Sequence, residues 1–474
     1  MNSFELYGLW WIPKQKCKIF AGTLSFNPQN GGTLNLTHRQ DDYKKISETF
    51  HSNITIINGI ADNKEITLLN CKPSIKRYTD IYTTYEIGNI ISGKHFEDEE
   101  STKATEYFLQ ISCMKNWLNK EVFKDDVEEL FKYQNEQGEP TFKFLPKEII
   151  KIPINNEIDL ELHNSCDFKG DHDKYLIDKQ PYILIKFAKA KSFNQMENVL
   201  YHLRDFFSLA TSKPVYVKRL KSKSNSNSLD YNIEYFFRRR FGNKDLEEKL
   251  NPLNMIFNFK DLDENVGVES AFKNWFADYK ELRHIYRMFF LTHYSKEVFE
   301  FKFLSLSQAL DSYTNYYTDY YTEKIKNISK FIPKSEFKRR KKIIFDSLPP
   351  DESKEEYKKW LDVCLQNFIS FNQRIELLIT NELDFLNDIK NLPNLIQSIV
   401  LTRNALSHGY KDIEKGKNKY LINIDDFVWL FYGLKMILTS IFLKKIGFRN
   451  NKIKELFQRY FRYDDIINGK YVFD

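Results

Sequence analysis

Pro393-Asn394-Leu395-Ile396-Gln397-Ser398-Ile399-Val400-Leu401-Thr402-Arg403-Asn404-Ala405-Leu406-Ser407-His408-Gly409 is the stretch on which the reading of this chain turns. Wound at helical pitch, Leu395, Ile396, Ile399, Val400 and Leu406 form one broad apolar side, as in a helix that packs into a bundle. Pro393 suits the first turn, and Gly409 is placed to end the helix with a left-handed cap. Arg403 falls at the edge of the apolar side. A buried guanidinium without a partner is expensive, so Arg403 is expected to be paired or to face a groove. Asn404 and His408 are four apart and share one surface, so the amide is placed to orient the imidazole. Arg403 and His408 are five apart, about 140° around the axis and roughly 7.5 Å along it. They do not face each other within one copy.

An always-charged Arg near a titratable His is the minimum equipment for cutting RNA without a metal. The Arg holds a phosphate, and the His moves a proton to or from a ribose hydroxyl or leaving oxygen. The helix C-terminus favours the imidazolium form. Two copies related by a two-fold axis would bring two Arg and two His to one phosphate. One His would act as base on the 2′-hydroxyl and the other as acid on the 5′ oxygen, leaving a 2′,3′-cyclic phosphate. DNA lacks the required hydroxyl.

The surroundings of this helix are basic and helical. From Lys296 to Asp474 there are 30 Lys and Arg against 24 Asp and Glu, which accounts for the whole net charge of +6. That favours an anionic partner there. Phe303-Leu304-x-Leu306-x-x-Ala309-Leu310 keeps one apolar face, and the pattern runs on towards Ile328. Glu355 to Ile389 reads as a long amphipathic helix or a pair, Asp425 to Lys445 as another helix, and Lys452 to Phe461 as a last short one. The sum is an antiparallel helical bundle. Phe427 to Leu443 imitates a membrane span, but Lys435 in its middle is costly in lipid. A start at Asp425-Asp426 and a stop at Lys444, Lys445 and Gly447 mark a buried bundle helix instead. No membrane partner is expected.

The first 190 or so residues read as β-rich. Lys18 to Phe26 and Thr33 to Leu36 flank the turn-like Asn27-Pro28-Gln29-Asn30-Gly31-Gly32, a hairpin signal. Ile54–Ile60, Glu65–Asn70, Thr79–Ile91, Glu106–Cys113, Ile158–Leu162 and Tyr182–Phe187 are further strand candidates, pointing to a sandwich or barrel. The period turns helical at Asn194–Leu209, and Lys213 to Asp230 reads as an exposed basic connector. The fold class expected is therefore α+β and multidomain: a β-rich N-terminal domain, residues 1–290, then an all-α bundle, residues 296–474. Five scattered cysteines without a Cys-x-x-Cys, and no signal-peptide pattern, fit a reducing cytoplasm.

Arg403-Asn404-x-x-x-His408 resembles the signature of HEPN domains, small dimerising helical bundles. Phe303-Leu304-x-Leu306-x-Gln308-Ala309-Leu310-Asp311 is similar to the first HEPN helix of ApeA-type proteins, where an acidic residue follows the Ala-Leu. The N-terminal half resembles the ApeA N-terminal domain in Tyr7-Gly8-Leu9-Trp10-Trp11-Ile12-Pro13, Gly22–Phe26, Gly31–Leu36, and Gly93-Lys94-His95-Phe96 leading to Met114–Leu118. The resemblance implies an abortive-infection effector. It would be a metal-independent endoribonuclease without cofactor, acting on RNA, such as tRNA or other single-stranded loops, as a homodimer or higher homo-oligomer and unleashed by a phage trigger. It also implies that Asp311 positions Arg403 or His408. The alternative is a non-catalytic HEPN module that binds RNA or scaffolds an assembly.

Other constellations compete less well. Arg287 and His293 also have a suitable spacing, but the residues between are apolar except for a Thr, which reads as packing. His163–Asp167 with Asp171–Asp173 matches no standard zinc spacing, so no metal site is expected. Among the basic runs, Lys338-Arg339-Arg340-Lys341-Lys342 lies inside the bundle region, with Tyr316, Tyr317, Tyr320 and Tyr321 nearby. Cations with aromatic rings suit single-stranded RNA, so this run is the candidate RNA-binding patch. No phosphate-binding loop, dinucleotide fingerprint or nucleophile elbow occurs.

Overall fold

In the computed structural model the described residues are 1–15, 18–37, 53–74, 82–118, 149–163, 166–171, 174–223, 230–239, 255–295, 297–324, 332, 334–348, 354–365, 369–408 and 424–468. They fall into two compact units. The first comprises residues 1–279 and 293–295, the second residues 280–292 and 296–474.

The first unit is built on β1 (Phe4–Trp11), β2 (Phe20–Asn27), β3 (Gly31–Thr37), β4 (Ile54–Ala61), β5 (Lys64–Pro73) and β6 (Tyr82–Ser92). Their order is β3-β2-β1-β4-β5-β6, every pairing is antiparallel, and β3 also pairs with β6. These six strands therefore close into a barrel. Alternation fills it: Leu24 and Phe26 on β2, Leu34 and Leu36 on β3, and Tyr85 and Ile87 on β6 all point inward and are buried. The expected hairpin is present, with Asn27 Oδ1 accepting from the backbone N–H groups of Gln29 and Asn30 at 2.9 and 3.2 Å. Trp10 is fully buried and donates its indole N–H to the Gly22 carbonyl at 3.1 Å. A side chain at Gly59 would collide with that indole ring, so the barrel needs glycine there.

The sheet continues past β6. Beyond the barrel come β14 (Ile233–Phe237), β13 (Val217–Ser222), β7 (Ala104–Ile111), β12 (Tyr182–Lys191), β9 (Ile158–His163) and β8 (Ile149–Asn155), while β10 (Cys166–Asp171) and β11 (Lys174–Lys179) form a separate hairpin. One edge of β6 serves both halves: residues 82–87 pair with β3 and residues 89–92 with β14. The expected connector at Lys213–Asp230 is corrected in its middle. Val217–Ser222 is a strand, bonded to β7 and β14. Its Lys and Arg face outward, while Val217, Leu220 and Ser222 are buried, with the alternation broken by a register shift between Val217 and Arg219. Residues 224–229 of that connector lie outside the described residues.

The helices of the first unit are α1 (Met114–Leu118), α2 (Phe193–Thr211) and α3 (Phe259–Asn265), followed by α4 (Val268–Glu281) and α5 (Arg283–Tyr294), each of which has residues in both units. A capping box of Ser192 and Gln195 starts α2. Around it Trp117, Phe206, Phe207, Phe272 and Trp275 pack edge to face or tilted, with centroids 4.4–6.2 Å apart.

The second unit is all helix: α6 (Phe299–Lys324), α7 (Lys334–Asp346), α8 (Lys354–Cys364), α9 (Phe371–Glu382), α10 (Leu392–His408), α11 (Ile424–Ile446), α12 (Asn450–Arg459) and α13 (Phe461–Ile467). The central helix, α6, packs against α9, α10 and α11. Its apolar face, Phe303, Leu306, Ala309 and Leu310, is fully buried, as its spacing requires. The region read as one long helix or a pair, Glu355–Ile389, is two helices plus a short 3-10 turn at Asp384–Asp388.

One helix, α11, is long and apolar enough to cross a membrane by length and composition, and it is mostly buried inside the protein. Phe442 on it meets Phe289 and Tyr286 at 4.9 and 4.6 Å. Lys435 is buried within the same helix. Burial, with the nearby cations Arg462 and Lys302, pushes its ammonium down to about 7.

Candidate active site

Arg403 lies one turn from the end of α10, 29% exposed, with its guanidinium gripped on two sides. Nη1 donates to Asn404 Oδ1 at 3.0 Å. Nη2 reaches Asp311 Oδ2 on α6 at 3.4 Å. The sequence left two options, a pairing or a groove, and the Arg has both a carboxylate partner and solvent contact. Nε has no hydrogen-bond partner among the described residues.

Asp311 is only 15% exposed and is shared. Its Oδ1 accepts from Arg374 Nη2 on α9 and from Asn315 Nδ2 at 3.4 Å. Arg374 is anchored further: Nη1 donates to the Ile369 carbonyl at 3.0 Å, Nε to Thr314 Oγ1 at 3.4 Å, and the group lies 5.7 Å from the Phe371 ring centre. Two guanidiniums thus flank one carboxylate, leaving a local excess of one positive charge among α6, α9 and α10. Such an arrangement holds a phosphate well, because the charge is oriented before the ligand arrives.

Sequence reasoning missed Arg374. The signal was there: it stands three residues from Phe371 and four from Leu378, on the apolar side of α9, where an Arg has to be paired.

The structure brings Asp311, Arg403 and Asn404 together. Asn404 uses its carbonyl oxygen on Arg403, which leaves Nδ2 as the atom for any contact with His408. His408 is the last residue of α10; its side chain and the cap at Gly409 lie outside the described residues.

The basic run Lys338–Lys342 is elsewhere on the second unit, along α7, which has no buried residue. Arg339 grips Glu336 with two bonds of 2.7 and 2.8 Å, and Arg340 adds one of 2.7 Å. Those bonds, the Arg339 pair foremost, pull the Glu336 carboxyl down to about 2. Lys341 pairs with Asp362 on α8 at 2.5 Å. Of the five, Lys338 and Lys342 make no ion pair among the described residues, and both are exposed. Of the tyrosines, Tyr316 is half exposed and donates to Glu281 at 3.0 Å, and Tyr317 is buried. The side chains of Tyr320 and Tyr321 lie outside the described residues.

Arg287 is exposed on α5, which also carries His293. His163 is occupied within the first unit: it contacts Glu161 at 3.1 Å and stacks on Tyr182 at 4.8 Å. Of the residues that would complete a metal set with it, His172 and Asp173 lie outside the described residues, as do the side chains of Cys166, Asp167 and Asp171.

Two family models match the chain. One, ApeA N-terminal domain 1, matches residues 5–275, more than half of its length. The chain belongs to the ApeA family. The other, the Apea-like HEPN domain, matches residues 304–452, which takes in Asp311, Arg374, Arg403 and His408. HEPN domains are usually RNases that bind RNA and form dimers, which supports a general RNase role in abortive infection for this chain. No match was found among the curated proteins or among the solved structures.

Proposed function

We propose that the chain is a metal-independent endoribonuclease whose helical domain cuts RNA by attack of the ribose 2′-hydroxyl. The observation that carries this reading is the Arg403 guanidinium, held at the surface by Asp311 and Asn404 on the helix that ends in His408. Arg403 binds the scissile phosphate and stabilises the charge that builds on it. His408 transfers the proton, Asn404 orients the pair, and Asp311 positions Arg403.

Because Arg403 and His408 are five residues apart, one copy presents them on different sides of α10. A dimer supplies the second pair. One His408 takes the 2′-hydroxyl proton as the 2′-oxygen bonds to phosphorus. The other gives a proton to the 5′ oxygen as its bond to phosphorus breaks. The products are a 2′,3′-cyclic phosphate and a 5′-hydroxyl. The substrate is single-stranded RNA, such as a tRNA loop, in the cytoplasm, and a phage signal releases the activity.

The bonds that fix Arg403 would also suit an arginine that only ties helices together, so a non-catalytic scaffold is the competing reading. Purified wild type, Arg403→Ala and His408→Ala, incubated with total bacterial RNA and EDTA, separate the two. Fragments ending in cyclic phosphate from wild type alone support the nuclease. Should wild type be silent in vitro, growth arrest on overexpression that His408→Ala relieves supports it equally. Arrest unchanged by His408→Ala, or cleavage that EDTA abolishes, sinks it.

A further inference from the structure

The first unit contains a cavity of about 50 Å³ beside α2. One water needs roughly 10–15 Å³ of such space, so this one takes a few waters or a group the size of a phosphate. One wall is α2, where Glu197, Tyr201 and Arg204 recur at helical spacing on one face. The opposite walls are Tyr216, just before β13, and Arg238 and Arg239, just after β14. Three guanidiniums from two separate segments therefore converge on one small recess.

The bonding of Arg204 and Arg238 leaves donors over. Arg204 gives Nε and Nη2 to Asp205 Oδ1, at 3.0 and 2.8 Å. Its plane is clamped between the rings of Tyr294 and Tyr201, 4.3 and 4.8 Å from their centres. Its Nη1 has no hydrogen-bond partner among the described residues. Arg238 gives Nε to the Gln29 carbonyl at 3.0 Å, and neither of its Nη atoms has a partner among the described residues. Arg239 lies on the Tyr216 ring at 4.1 Å. The acidic wall residue Glu197 accepts the Tyr201 hydroxyl at 2.7 Å. Among the charged residues lining the recess, Arg204, Arg238 and Arg239 stand beside one carboxylate, Glu197.

We propose that this cavity binds a phosphoryl group, carried by inorganic phosphate or by a mononucleotide. A rigid guanidinium with a spare N–H edge is the group best matched to phosphate oxygens, and two of them from different segments define a direction. The recess admits a terminal phosphoryl group and is too small for the backbone of a folded nucleic acid. The site is independent of the nuclease reading and lies in the other unit.

The test is calorimetric titration of the full chain at low ionic strength with inorganic phosphate and, separately, with AMP. The Arg403→Ala background removes the anion site proposed for the nuclease. Saturable binding is expected. Tighter binding of AMP identifies a nucleotide ligand, and equal binding identifies phosphate itself. Arg238→Ala, at an exposed residue whose side chain makes one hydrogen bond among the described residues, weakens the binding at least about tenfold. Arg204→Lys, which keeps the charge and loses the fork, weakens it similarly. If neither ligand gives a saturable heat, or if Arg238→Ala leaves the affinity unchanged, the site does not exist. Circular dichroism of Arg238→Ala confirms that the fold is intact in either case.

Discussion

The charged groups around Asp311 and those along α7 are both arginine-rich, both lie in the helical unit, and they differ in what neutralises them. On α7, Arg339 and Arg340 are satisfied by Glu336 on the same helix, in solvent. At the other place, Arg374 and Arg403 come from different helices and share one largely buried carboxylate on a third. The first arrangement stabilises little beyond its own helix, because solvent screens an exposed pair and its long side chains lose entropy on pairing. The second joins α6, α9 and α10 and leaves an oriented positive charge. The number of cations in a run therefore says less about an anion site than the number of segments that hold them.

The strongest way to break this contrast is to remove the shared carboxylate. Asp311→Asn leaves two guanidiniums facing each other and is expected to cost about 2–3 kcal/mol, somewhat under the fully buried case. Thermal unfolding of the helical unit would show it, together with loss of RNA cleavage. Arg374→Met should fall close behind in stability, whereas Arg374→Lys recovers part of it. Equal melting temperatures for wild type and Arg374→Met would show that the trio does not tie the helices together.

Arg403→Ala sharpens the contrast in the other direction. Its pair is long and more open, so stability should drop by less than about 1 kcal/mol. Cleavage should fall roughly 10²–10³-fold, as when one group that stabilises a transition-state oxyanion is lost. Measuring both on one preparation separates holding the fold from holding the phosphate.

Lys435 offers a pH test of a buried cation on another helix of the same unit. Its folded-state pKa of about 7 lies below the ordinary 10.5. Between those values the unfolded chain binds more protons, so stability rises with pH across that window and is lowest below about 7. Lys435→Met should therefore raise the melting temperature by several degrees at pH 6 and by progressively less towards pH 10. A gain independent of pH would mean that the ammonium is not what costs stability there.

The smallest effect belongs to α7. Charge reversal at Lys338 and Lys342 should leave the melting temperature unchanged. It should lower single-stranded RNA affinity only as a phosphate contact does, uniformly across sequences and with a shallower salt dependence. A loss as large as that of Arg403→Ala would erase the distinction drawn between the two places.

Much of this fold could be read from local periodicity. Leu24, Phe26, Leu34 and Leu36 alternate, and the face of α6 from Phe303 to Leu310 repeats at helical spacing, so those elements were legible. The strand Val217–Ser222 was not, because its outward Lys and Arg dominate the composition and its partners, β7 and β14, are set by tertiary pairing. Closure of the barrel by β3 and β6 depends on segments some fifty residues apart, which no local pattern reports. At the candidate site, Arg403 was legible from the spacing of its own helix, and Asp311 came through a family resemblance. Arg374 belongs to no such motif and was visible only as a cation on an apolar helical side.

The double use of one edge of β6, by β3 along residues 82–87 and by β14 along 89–92, has a consequence in time. All six barrel strands lie within the first 92 residues, so the ring can close before the rest of the sheet exists. At a synthesis rate of about 5–20 residues per second, the ribosome needs roughly 15–60 s more to reach Arg403. The barrel strands thus leave the ribosome well before the helix that carries Arg403 and His408, and can fold ahead of it.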